Sequence, residues 1–134
     1  MAWHRGVFAW VCPLYVVSYV LLRCDVEEIR GLLEQEIPDA ETRAAILERA
    51  DIPLGVNGRF IGTHSIKYGS VVTIWINPRK TGIPVLAHEL LHAITYVLDA
   101  RGLVLSDHTD EAYAYYLEWL MRESLARLDP PEAA

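Results

Sequence analysis

The sequence predicts a single α+β domain, and three observations carry that reading. Leu14 to Leu22 is a near-continuous apolar run rich in Val and Tyr. Such a run reads as a strand covered on both faces. From Ile52 the texture changes: Pro53, Gly55, Asn57, Gly58, Gly62 and Gly69 punctuate the chain, with β-formers between them. Before and after that stretch, apolar residues recur at helical spacing. With 134 residues, 52% of them hydrophobic, the chain can bury one core of its own.

Taken in order, residues 1–50 read as a strand followed by helices. Residues 1 to 12, with Trp3, Phe8 and Trp10, read as an ordered extension or an edge strand. Asp25 is placed to cap a helix, with Glu27 and Glu28 in its first turn. Val26, Ile29, Leu32, Leu33 and Ile37 form its apolar stripe, and Pro38 ends it. A second helical pattern runs from Asp39 to Ala50, its charged residues forming a solvated face.

Residues 52–77 read as a β-hairpin or meander. Asn57-Gly58 is a hairpin-type turn signal, and Phe60-Ile61 and Val71 to Ile76 are the strand segments. Asn77-Pro78 closes the last strand, because proline cannot donate to a ladder. A helix is expected over 82–101, with Pro84 in its first turn and Gly102 past its end. A final helix is expected over 107–128, stopped by Pro130-Pro131.

Composition narrows the function. The formal net charge is -6 and no basic block occurs, which argues against a nucleic-acid binder. Cys12 and Cys24 make neither a disulfide framework nor a Cys-x-x-Cys metal knuckle, and read as free thiols of a reducing cytoplasm. The uncharged run from Val7 to Leu22 is short for a membrane span and carries Pro13. Arg23 follows where a signal peptide would have small residues. No membrane partner is therefore expected.

The chemistry concentrates in Pro84-Val85-Leu86-Ala87-His88-Glu89-Leu90-Leu91-His92-Ala93. On a helix, His88 and His92 sit one turn apart on one face and can offer two imidazoles to one ion. Glu89 projects beside them, where a carboxylate can take a proton from an activated water. The aliphatic residues around the histidines lead to the expectation that they are not exposed. A catalytic zinc needs a third protein ligand. Glu111, at the start of the returning helix, is the favoured candidate. His108 is the runner-up, and Asp107 or Asp110 stay open. Tyr115, one turn after Glu111, is a candidate for oxyanion help, as is His64 in the hairpin region. Tyr113, Tyr116 and Trp119 are expected in the core, and Glu118 either orients a ligand or is solvated. The strand Val71 to Ile76, if it edges the sheet, can hold an extended peptide.

His88-Glu89-Leu90-Leu91-His92-Ala93 followed by Asp110-Glu111-Ala112-Tyr113-Ala114-Tyr115 resembles the gluzincin pattern in its smallest form. With the preceding Thr73 to Pro78, it is similar to small zincin-like metallopeptidases encoded in bacteriophage and prophage genomes. The likeness covers roughly residues 70 to 120. It implies a short twisted sheet packed on an active-site helix and a following glutamate helix. It also implies Zn2+ with Glu111 as third ligand, and a protein or peptide substrate in a bacterial or phage-infected cytoplasm. So small a chain has little room for a deep specificity pocket: either its substrate is one particular protein, or a homodimer or partner protein completes the cleft. The alternative is an inactive zincin-like binding or structural module of phage morphogenesis or regulation, with zinc structural or absent.

Overall fold

The computed structural model describes residues 3–37, 39–49, 56–65, 69–79 and 82–129. Four strands form one mixed sheet: β1 (Gly6–Cys12), β2 (Val17–Arg23), β3 (Gly58–Ser65) and β4 (Gly69–Ile76), in the order β1-β2-β4-β3. β1 and β2 pair antiparallel, as do β3 and β4. The central pair, β2 and β4, is parallel, with Val20 opposite Thr73. A 3-10 turn (Val26–Glu28), α1 (Ile29–Glu36) and α2 (Ala40–Arg49) lie between β2 and β3 in the chain, and α3 (Ile83–Asp99) and α4 (Asp110–Leu128) follow the sheet. The α+β expectation holds.

Side-chain alternation divides the core in two. Val17, Tyr19 and Leu21 of β2 and Val72, Ile74 and Ile76 of β4 meet Leu86, Leu90, Ile94 and Val97 of α3 and Tyr116 and Leu120 of α4. Val20 and Leu22 of β2 and Val71 and Trp75 of β4 face the other way, onto Ile29 and Leu33 of α1 and Ile46 of α2. The near-continuous apolarity of β2 thus reflects helices on both faces of the sheet. α1 and α2 fall within the two helical patterns expected between Asp25 and Ala50.

Four expectations need correction. The strand expected over Leu14 to Leu22 is β2 and begins at Val17, because residues 13–16 make the reversal between β1 and β2. Leu14 and Val16 are exposed there, and Val16 takes a φ of 52° that β-branched residues rarely adopt. Asn57-Gly58 is not the hairpin turn: it opens β3, where the Asn77 N–H donates to the Asn57 carbonyl at 2.9 Å. β3 and β4 are connected through residues 66–68, which lie outside the described residues, as does Pro38. The final helix starts at Asp110, three residues late, because Ser106 and Thr109 hold a turn before it: the Ser106 N–H donates to Thr109 Oγ1 at 2.8 Å. Lastly, β4 is flanked by β2 and β3, so it does not edge the sheet; β3 does.

Asp25 precedes its helix as expected, with its N–H donating to the Glu28 carboxylate at 3.1 Å. Cys12 and Cys24 are free and buried. Among the described residues no helix is long and apolar enough to cross a membrane.

Candidate metal centre

The site is built on the first three turns of α3. Gly82 caps the helix with a φ of 135° and Pro84 fits its first turn. Leu86, Leu90, Ala93, Ile94 and Val97 dock onto the sheet. That anchoring turns His88, Leu91, His92 and Thr95 outward. The histidines were expected to be covered, and they are not: the His88 side chain is 67% exposed and Leu91 is 51% exposed. The aliphatic flanks belong to the buried side of the helix and say little about its other side. Glu89 alone of the three is buried, at 6% exposure.

The two Nε2 atoms lie 3.3 Å apart. Two N–H donors facing each other at that separation would repel, so at least one of these atoms presents its lone pair. Zinc–nitrogen bonds of about 2.0–2.1 Å in a tetrahedron set two ligand nitrogens about 3.3–3.4 Å apart. The 3.3 Å separation of the pair equals that spacing. The Glu89 Oε1 atom is 3.9 Å from His88 Nε2. Burial pushes the Glu89 carboxyl above its ordinary pKa, while the charges of His88, His92 and Arg59 pull it back down.

Edge strand β3 forms the opposing wall. The Phe60 ring stacks near His92 with centroids 6.4 Å apart, and lies 5.5 Å from the Tyr96 ring. Gly58 underlies Glu89: a Cβ there would stand 2.8 Å from Glu89 Cγ. Gly62 gives Tyr96 the same room, with a Cβ 2.7 Å from its ring. Glycines, read from the sequence only as punctuation, are what let α3 press against β3. Gly58, Arg59, Phe60, Glu89 and His92 line an open cleft of about 300 Å3.

The remaining expected residues do not join this group. Among the described residues, no three His, Cys, Asp or Glu side chains are arranged to hold a metal. Glu111 is exposed in the first turn of α4, its N–H donating to the Asp110 carboxylate at 2.9 Å. Asp107, His108 and Asp110 are exposed on the same approach to α4. Tyr115 is 67% exposed and lines a separate cavity with Cys12, Leu14, Tyr116 and Trp119. His64 is exposed toward the far end of β3. Tyr113 and Tyr116 are buried and Trp119 packs against the core, as expected. Glu118 pairs with Arg122 at 3.1 Å on the exposed side of α4. Arg59 was not singled out from the sequence, where nothing marks an arginine after Asn-Gly as part of a site.

The chain matches no protein-family model, no curated protein and no solved structure.

Proposed function

We propose that this chain is a zinc-dependent metallohydrolase, and that its reaction is cleavage of peptide bonds. The observation that carries the reading is the His88–His92 pair, with Nε2 atoms 3.3 Å apart beside the buried Glu89 carboxylate. His88 and His92 would hold the ion, and Glu111 is the proposed third ligand. Glu111 has no ion pair among the described residues and lies in the first turn of the helix packed beside α3. Bound zinc supplies Lewis acidity, polarising a carbonyl and acidifying water.

The chain's own groups do the rest. Glu89 accepts a proton from the attacking water and delivers it to the leaving nitrogen. Its burial, which raises the carboxyl above its ordinary pKa, suits a group that takes and returns a proton. The Phe60 ring flanks His92, its plane near parallel to the imidazole. The substrate-pairing role considered for β4 passes to β3, an edge strand that already forms the cleft wall. An extended peptide adding to that edge brings a carbonyl over Glu89 and the two imidazoles.

The second reading is a zincin-like binding or structural module. It is favoured by one observation, the lack of a three-ligand set among the described residues. The two separate in one assay: zinc-loaded protein with quenched-fluorescence peptide mixtures, wild type beside Glu89→Gln. Cleavage by the wild type alone supports the enzyme. Zinc binding without cleavage supports the module.

A further inference from the structure

We infer that the peptide taken by this cleft carries an acidic side chain at the position facing Arg59, and that Arg59 selects it; this rests on the peptidase reading above. The inference comes from the hydrogen-bond parity of β3. In an antiparallel ladder, residues alternate between those that bond to one neighbour and those that bond to the other side. Asn57 accepts from the Asn77 N–H at 2.9 Å, and the register continues with Gly58 opposite Ile76 and Arg59 opposite Trp75. Asn57 and Arg59 therefore turn their backbone groups toward β4. Gly58 and Phe60 turn theirs outward, to the open side of the sheet.

A peptide strand added antiparallel to that edge bonds to Gly58 and Phe60. Arg59 then sits in a non-hydrogen-bonded pair with the peptide residue opposite it. In such pairs the Cα atoms come within about 4.5 Å and the side chains are closest. That peptide residue adjoins the ones held over Glu89 and His92, so it flanks the bond to be cut. Arg59 is exposed and has no ion pair among the described residues. It is the one arginine or lysine lining the cleft among those residues. Its Cβ leaves β3 on the face of Trp75, opposite to Gly58 and Phe60, so the pair it makes lies on the side of the peptide turned away from the imidazoles. Its planar fork of donors matches a carboxylate in two-point fashion. An opposite charge directly across a strand pair is favoured and a like charge is disfavoured. An edge arginine can also serve merely to keep other strands away, and that role predicts no preference among peptides.

The test uses the full chain and blocked octapeptide mixtures in which one position at a time is fixed as Glu, Gln or Lys. Two readouts are taken: cleavage by the zinc-loaded protein, and fluorescence anisotropy of labelled peptides on the metal-free protein. The wild type is expected to favour Glu over Lys about two- to fivefold at a single position in both readouts. Arg59→Gln is expected to erase that preference, and Arg59→Glu to reverse it at the same position. Binding and cleavage with a preference that Arg59→Glu leaves unchanged, or with none at all, overturns this inference and leaves the peptidase reading standing. No binding and no cleavage of any mixture overturns both.

Discussion

Gly58 lies directly beneath Glu89. A methyl group on its Cα would stand 2.8 Å from the Glu89 Cγ and 3.1 Å from the Trp75 carbonyl oxygen. The first contact is a side chain that can swing; the second is backbone of the neighbouring strand and cannot. The proposed base of the reaction is thus set by the absence of a side chain on the edge strand. Gly58→Ala is expected to cost about 1–3 kcal/mol through overpacking and to displace the Glu89 carboxylate. Urea denaturation checks the first effect and zinc-dependent hydrolysis the second. Adding Glu89→Ala to Gly58→Ala should restore part of the lost stability, because neighbouring sites that share one clash are not additive.

Glu89→Gln keeps the shape of the side chain and removes its basicity. Hydrolysis is expected to fall by about 10²–10⁴-fold while zinc content and the unfolding midpoint hold. Activity surviving this change would contradict the assignment of Glu89 as general base.

The third ligand separates cleanly by substitution. Glu111→Ala is expected to weaken zinc binding strongly, and His108→Ala to leave it near wild type, read by competition with a chromogenic chelator. The reverse pattern would move the third ligand to His108.

Cys24 gives a pH-dependent check on the core beneath β2. The residue is 2% exposed, and burial, reinforced by the nearby Glu28 and Asp25 charges, pushes its thiol pKa up to about 11. A raised thiol pKa means the folded state holds its proton longer than the unfolded state does. Its contribution is full below the ordinary thiol range and is lost as pH rises through about 11. Native Cys24 is therefore expected to resist iodoacetamide at pH 8 and to react once urea unfolds the chain. Cys24→Ala should flatten the alkaline loss of stability in urea titrations at rising pH.

How much of this was legible in the sequence follows from the range of each interaction. The helix that carries His88 and His92 was legible because its period, its Pro84 start and its Gly102 end are local. The strand Val71 to Ile76 was legible from its β-branched and aromatic run and lies within β4. The parallel pairing of β2 with β4 was not, since no local pattern tells Val20 that it meets Thr73. Asn57-Gly58 carried a strong turn signal, yet pairing of Asn57 with Asn77 and the space needed by Glu89 decide its conformation. For the site, the spacing of His88, Glu89 and His92 was sufficient to place three side chains together. Exposure of the histidines, the Phe60 wall and the position of Arg59 depend on how α3 rests on β3, which is tertiary. The likeness that points to Glu111 concerns sequence order, and among the described residues no third ligand is grouped with the two imidazoles.

The central claim is that His88 and His92 hold a metal ion, and elemental analysis tests it most directly. Wild type and His92→Ala are purified side by side, reloaded with zinc, desalted and analysed. About one zinc per chain in the wild type, lost in the variant, is the expected result. No zinc retained by either protein would contradict the claim and leave the 3.3 Å histidine pair without a metal to hold.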